Sequence, residues 1–321
     1  MIKSLTLSVL LIFLQTSDVQ AFGVCKDLLT GIDPKKCIDS EAEFKAAMDD
    51  PNVVVVPICN RATIDLSLPR FQSVLINSDK TIVCAGKKCT IDGSNVLGRG
   101  AKSGFLARDV DVKLQVCGMS FTNFRGETGA RVFTLEGPNV EAEFVKCKFS
   151  NNGGIAEGAA MFVFDGATAT INQCSFKNHD VTDFGGAVSF FRSGPGQIVD
   201  SKFIGNRASG DINDGARDAK SFGGAVDILT SQVEIRDCNI KLNTAESNDD
   251  TSFGGAINVR DRGVLTLSGT RLNKNVGELG QHIFVSRDST IQCGSGVDDL
   301  NTFENPVADD NGVVIQGNGQ C

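Results

Sequence analysis

Tryptophan and tyrosine are absent from all 321 residues, and histidine occurs only at His179 and His282. Without indole or phenol rings, the platforms that stack a sugar ring while hydrogen-bonding at one edge are poorly supplied. The 21 phenylalanines read as core filling. Two histidines remove most routes to a His-based triad or a zinc site. Beyond the first few positions no apolar run approaches the roughly twenty residues needed to span a bilayer. Excess positive charge is also lacking, since 31 Lys and Arg against 39 Asp and Glu leave a net charge of -8. That balance argues against nucleic acid or an anionic membrane as partner. No Asn-x-Ser/Thr sequon occurs, and Asn172-Gln173-Cys174 is only the rare N-x-C form, so conventional N-glycosylation is not expected.

What is present begins with Met1 and Lys3, an apolar run from Leu5 to Leu14, and a small-residue site at Val19-Gln20-Ala21. This is the pattern of a secretory signal peptide covering 1–21, with a secreted, extracellular or cell-surface chain starting near Phe22. All 11 cysteines lie beyond that site, and an oxidising destination lets many of them pair. Cys84 and Cys89 are close enough to close a small loop. Cys293 and Cys321 are placed to staple the end of the chain. The odd number leaves at least one thiol free or paired between molecules.

One short pattern recurs from about Leu114 to Leu272. It opens with alternating apolar pairs: Leu114 and Val116, Ala142 and Phe144, Ala169 and Ile171, Val233 and Ile235, Leu265 and Leu267, with a poorer copy at Ile198. Two mostly polar or small residues follow, as in Asn172-Gln173 and Arg236-Asp237, and read as a bend. A second pair then begins at Met119, Cys147, Cys174, Ser201, Cys238 or Thr270 and ends at Phe121, Phe149, Phe176, Phe203, Ile240 or Leu272. Period two means strand, with these side chains inward. Asn123, Asn151, Asn178, Asn206, Asn243 and Asn275 follow the anchors by two or three residues, and asparagine tolerates the left-handed backbone of a sharp turn. The third element opens with glycine, as in Gly185-Gly186-Ala187-Val188, Gly223-Gly224-Ala225-Val226 and Gly254-Gly255-Ala256-Ile257.

Three short strands cannot bury an apolar face alone, whereas stacked copies share one core. The expected fold is therefore all-β: a single-stranded right-handed parallel β-helix, three strands per coil, with a short N-terminal capping helix. The anchors are 28, 27, 27, 37 and 32 residues apart, so the longer repeats must extrude loops. Equivalent residues should form a Phe/Ile/Leu ladder, a Cys/Ser/Thr ladder and an asparagine ladder. Stacked Cys147 and Cys174 are expected either to bond or to remain buried thiols. Ser40 followed by Glu43 starts the capping helix over 41–48, and Val53 to Val56 with Ile58 form the first strand. The division is 22–74 for the cap and first coils, 75–290 for the β-helix and 291–321 for a C-terminal cap segment.

At these residues the chain resembles the right-handed β-helix, pectin-lyase-like superfamily. The combination of Gly-Gly-Ala-Val/Ile with F-x-x-N, as in Phe149 to Asn152 and Phe203 to Asn206, is similar to the repeats of chlamydial polymorphic outer membrane proteins. The resemblance implies the scaffold over roughly 75–290 and says little of function, because that scaffold hosts lyases, hydrolases, epimerases and adhesins.

The catalytic equipment such enzymes carry is missing. The chain has no G-H-G and no N-T-D, nor the D-P-H-D of alginate epimerases. The candidate surface is the face where three loops leave consecutive coils, Asn178 to Phe184, Asn206 to Phe222 and Asn243 to Phe253. These loops gather Asp180, Asp183, Asp211, Asp214, Asp218, Glu246, Asp249 and Asp250 with Arg207, Arg217 and Lys220. Carboxylates among cations suit calcium and an acidic sugar, although Asp, Asn, Ser and Gly are also ordinary solvated-loop residues. Asp211-x-Asn213-x-Gly215 is only a fragment of a calcium loop. The expected function is a secreted or surface-associated protein that binds polysaccharide or a cell-surface protein without a cofactor. The alternative is a polysaccharide lyase or hydrolase acting on an acidic glycan from the loop face.

Overall fold

Alternation of apolar and polar residues at period two produces strands whose inner faces are sealed only when successive coils stack. The computed structural model describes residues 25, 27, 28, 36–66, 73–93, 103–126, 131–154, 157–182, 184–210, 221–247, 252–286, 288–293 and 314–316. The signal-peptide expectation falls on residues outside these, as does Cys321 of the expected Cys293–Cys321 pairing.

The chain forms an all-β parallel solenoid. Its first sheet has ten strands, from Val55–Ile58 to Val314–Gln316. The second sheet runs from Thr63–Asp65 to Arg271–Asn273 and the third from Val74–Leu75 to Ile283–Val285, with eight strands each. Every strand pairs in parallel with its counterpart one coil away, as Phe121 does with Phe149, Phe149 with Phe176 and Phe176 with Phe203. The three expected strands per coil are thus present, and five of the coils add a short fourth one. A short five-stranded ladder, including Asp180–Val181, Arg207–Gly210 and Thr244–Ser247, lies between the second and third sheets.

The inward residues form one continuous core. Phe121, Phe149, Phe176 and Phe203 stack with ring centroids 5.2, 5.0 and 4.5 Å apart and planes nearly parallel. Extrusion of the longer loops leaves this ladder in register, since Phe203 pairs with Ile240 and Ile240 with Leu272.

Corners are built from left-handed residues. At the first corner Lys146, Gln173, Asp200 and Asp237 have φ of 54, 54, 49 and 55°. At the second corner the left-handed residues are Asn123, Asn151, Asn178, Gly205, Leu242 and Lys274, with φ from 51 to 65°. The single expected asparagine ladder therefore splits. Only Asn123, Asn151 and Asn178 sit at that left-handed position. The buried hydrogen-bonding column is the next residue along: Asn152, His179, Asn206, Asn243 and Asn275. The glycine pair that opens the third sheet is explained at Gly223 and Gly224. Gly223 has φ of +63°, and a Cβ on Gly224 would collide with the Gly255 carbonyl oxygen of the next coil.

The helix Glu41–Asp49 closes the N-terminal end. Ser40 caps it, its hydroxyl accepting from the Glu43 N–H at 3.4 Å, and Phe44 and Met48 are buried. The first strand is Val55–Ile58, two residues later than expected at its start. Lys80, fully buried, fastens this lid by donating from Nζ to the carbonyls of Asp50 and Val53, both at 2.7 Å.

Disulfides join Cys25 to Cys117, Cys37 to Cys59 and, as expected, Cys84 to Cys89. Cys147, Cys174 and Cys238 are free and buried. The first two are thus stacked thiols and not a bridge. No helix among the described residues is long and apolar enough to cross a membrane.

Candidate functional site

Three groups of polar side chains stand out, and burial distinguishes them. The first is the expected loop face. Of its residues the structure describes Asp180, Arg207 and Glu246. Asp183, Asp211, Asp214, Arg217, Asp218, Asp249 and Asp250 lie outside the described residues, as does Lys220. Asp180 and Arg207 are paired in register, and Glu246 stands one coil further on, paired with Ser209. Arg207 bridges the two carboxylates, 3.4 Å from Asp180 and 2.9 Å from Glu246. Partial burial tends to lower the guanidinium pKa, but the hydrogen bonds and charges of Glu246 and Asp180 outweigh it and hold it above its ordinary value. All three side chains are about half exposed, so the pairing contributes at most about 1 kcal/mol. Among the described residues no His, Cys, Asp and Glu side chains group in a way that holds a metal ion.

The second group is sealed. Asp227 points outward from the third sheet yet is fully buried. It accepts from Asn258 Nδ2 at 2.6 Å and pairs with Arg260 at 3.2 Å. The Arg260 guanidinium lies 4.5 Å from the ring centroids of both Phe184 and Phe222, and Phe222 stacks on Phe253. Burial pushes the Asp227 carboxyl above the usual range in spite of Arg260. A carboxyl raised in this way often marks a general acid. Here it has no exposed surface from which to reach a ligand, and it holds Arg260 against Phe184 and Phe222. His179 is likewise sealed. It is 1 % exposed and occupies the asparagine column. His282 is also buried, with Nδ1 3.4 Å from Asn275 Nδ2.

The third group is for the most part partly exposed and was not anticipated. Between each inward pair of the first sheet stands one outward residue. In successive coils these are Thr81, Gln115, Glu143, Thr170, Gln197, Glu234, Thr266 and Gln292, all in register. From Gln115 to Thr266 every one is partly exposed. Thr81 donates to Gln115 Oε1 and Thr266 to Gln292 Oε1, each at 3.4 Å. Gln115 Nε2 donates to Glu143 at 3.1 Å, and Gln197 Nε2 to Glu234 at 3.0 Å. The nearest cations on this face are already engaged, Lys113 with Glu141 at 3.5 Å and Arg236 with Glu234 at 3.8 Å. The result is a polar row with carboxylate acceptors, amide donors and hydroxyls, one side chain per coil. The signal for it was in the repeat itself, at the middle position of Leu114-Gln115-Val116, Ala142-Glu143-Phe144 and their copies.

No protein-family model matches the chain, and no curated protein or solved structure matches it either.

Proposed function

We propose that this is a secreted or surface-associated β-helix protein that binds polysaccharide along its first sheet and does not cleave it. The observation that carries this reading is the uninterrupted row from Gln115 to Thr266. A linear glycan offers hydroxyls at regular intervals, and a row of acceptors and donors at regular intervals is the matching surface. The scaffold is taken to be of the right-handed pectin-lyase-like kind, on the strength of the Gly-Gly-Ala and F-x-x-N repeats.

The test is retention of the purified mature chain on a panel of immobilised neutral glycans and polyuronates, with and without calcium, while products are followed by absorbance and reducing ends. Retention without product, weakened when Glu143 and Glu234 are both changed to Ala, is the expected result. Retention on no glycan removes the proposal and moves the search to protein partners. Calcium-dependent product that disappears when Asp211, Asp214 and Asp218 become Ala assigns a lyase to the loop face instead.

A further inference from the structure

The outward row has a period that the fold does not require. A solenoid of this kind needs only a solvated residue at this position. Yet between Val55 and Gln316 at its two ends the residue types run Thr, Gln, Glu, then Thr, Gln, Glu, then Thr, Gln through eight coils. Four hydrogen bonds run the same way along the row, from Thr81 to Gln115, Gln115 to Glu143, Gln197 to Glu234 and Thr266 to Gln292. Each run ends on a glutamate that receives one amide hydrogen, and Glu234 also faces Arg236 at 3.8 Å, which leaves lone-pair sites on both for other donors. The next coil supplies a threonine hydroxyl, Thr170 after Glu143 and Thr266 after Glu234.

Glu143 and Glu234 are three coils apart, which is about 14 Å at the spacing of neighbouring strands. The two Gln-Glu-Thr sets, Gln115-Glu143-Thr170 and Gln197-Glu234-Thr266, therefore repeat the same three residue types at that interval, with Arg236 beside Glu234 in the second set.

We propose that the glycan recognised by this face is an uncharged linear chain with three sugar rings per turn, of the xylan kind, lying along the solenoid axis and held at both sets. This rests on the glycan-binding reading above and adds the class of ligand. A β-linked pyranose chain advances by roughly one coil per ring. A threefold chain then returns the same hydroxyl to the face at every third coil, so both glutamates accept in phase. A twofold chain of the cellulose kind turns the opposite side to the second glutamate.

Charge selects against uronates. The net charge of the chain is -8, Glu141 lies beside Glu143 on the same strand, and Lys113 and Arg236 already face carboxylates. Each set alone offers only a few solvent-exposed hydrogen bonds, so useful affinity comes from engaging both sets with one chain.

The experiment is calorimetry of the mature protein with xylotriose, xylohexaose, cellotriose and cellohexaose. Xylohexaose is expected to bind about 100-fold more tightly than xylotriose, as two linked contacts provide, with no such gain between the cellulose oligomers. Glu143→Gln and Glu234→Gln, both solvent-facing changes of unaltered shape, are each expected to bring xylohexaose down to the level of xylotriose. Equal affinity for the two xylose oligomers, or a gain in the cellulose series equal to that in the xylose series, overturns the inference and leaves glycan binding in place. Retention of no glycan at all overturns both.

Discussion

Asn206 and Asn243, one coil apart, are joined twice: the Asn206 backbone N–H and its side-chain Nδ2 both donate to Asn243 Oδ1, at 2.9 and 2.8 Å. Asn243 Nδ2 in turn donates to the Phe203 carbonyl at 3.2 Å and to Asn275 Oδ1 at 2.9 Å. Changing Asn243 to Ala strands a buried N–H and a buried carbonyl. A loss of about 3 kcal/mol in unfolding free energy is expected by urea denaturation, and a loss under about 0.5 kcal/mol would show that the column is not what holds this corner.

His179 fills the same column imperfectly. Its Nδ1 accepts from the Asn152 N–H at 3.2 Å and its backbone N–H donates to Asn206 Oδ1. The Nε2 nitrogen, which carries the proton when Nδ1 accepts, is buried without a partner. Desolvation pulls the pKa from 6.5 to about 3, with the charge of Arg125 acting in the same direction. A group whose folded pKa is depressed contributes stability above its unfolded pKa and loses it as pH falls. Acidification from pH 7 to pH 5 is expected to cost about 2 kcal/mol from this residue alone. His179→Asn should abolish that component and raise stability at neutral pH, because asparagines elsewhere in the column donate to the anchor carbonyl of the preceding coil, as Asn152 does to Phe121. Paired thermal melts at the two pH values decide it.

Cys147, Cys174 and Cys238 act as hydrogen-bonding corner residues. Cys174 Sγ accepts from the Cys147 N–H and lies 3.4 Å from the Phe144 carbonyl. Ser201 does the same in the next coil, accepting from the Cys174 N–H at 3.0 Å and donating to the Val199 carbonyl at 2.8 Å. Cys174→Ser is expected to cost less than about 1 kcal/mol and Cys174→Ala about 2 kcal/mol. Burial pushes the Cys238 thiol up to about 12 and raises that of Cys174 as well. These thiols should resist maleimide until the chain unfolds, which mass spectrometry of labelled peptides reads directly.

Leu242 holds φ of 58° at the second corner with its side chain half exposed. The equivalent residues in earlier coils are Asn123, Asn151, Asn178 and Gly205. A branched aliphatic side chain in the left-handed region costs about 1 kcal/mol relative to asparagine, so Leu242→Asn should raise the midpoint of thermal unfolding, and an unchanged or lower midpoint counts against strain there.

Most of the scaffold was legible in the repeat. Phe121, Phe149, Phe176 and Phe203 were recognisable as one ladder because strand periodicity is local. So was the Ser40 cap, since its partner Glu43 is three residues away. The asparagine column was not legible, for an equally local reason: Asn123, Asn151 and Asn178 stand at the turn, whereas Asn206, Asn243 and Asn275 stand one step later. Counting two or three residues from the anchor merged the two positions. The polar row was present at the middle position of the first-sheet strands, but a polar residue between two apolar ones signals only an outward side chain, and its alignment from coil to coil depends on the register of the stack. Only Asp180 and Glu246 of the expected binding carboxylates fall among the described residues, and Arg207 sits between them.

The chain by itself determined the period of its strands, its left-handed corners and the side chains that face inward, because each depends on residues within a few positions of one another. Stacking decided the rest. Cys25 meets Cys117 across 92 residues, Asp227 is sealed beneath Phe184 and Phe222 with Arg260, and Glu143 and Glu234 fall into one row. Coils of unequal length place such residues at irregular intervals in the sequence, and the inter-coil hydrogen bonds of a parallel sheet, which extrude the surplus as loops, bring them into line.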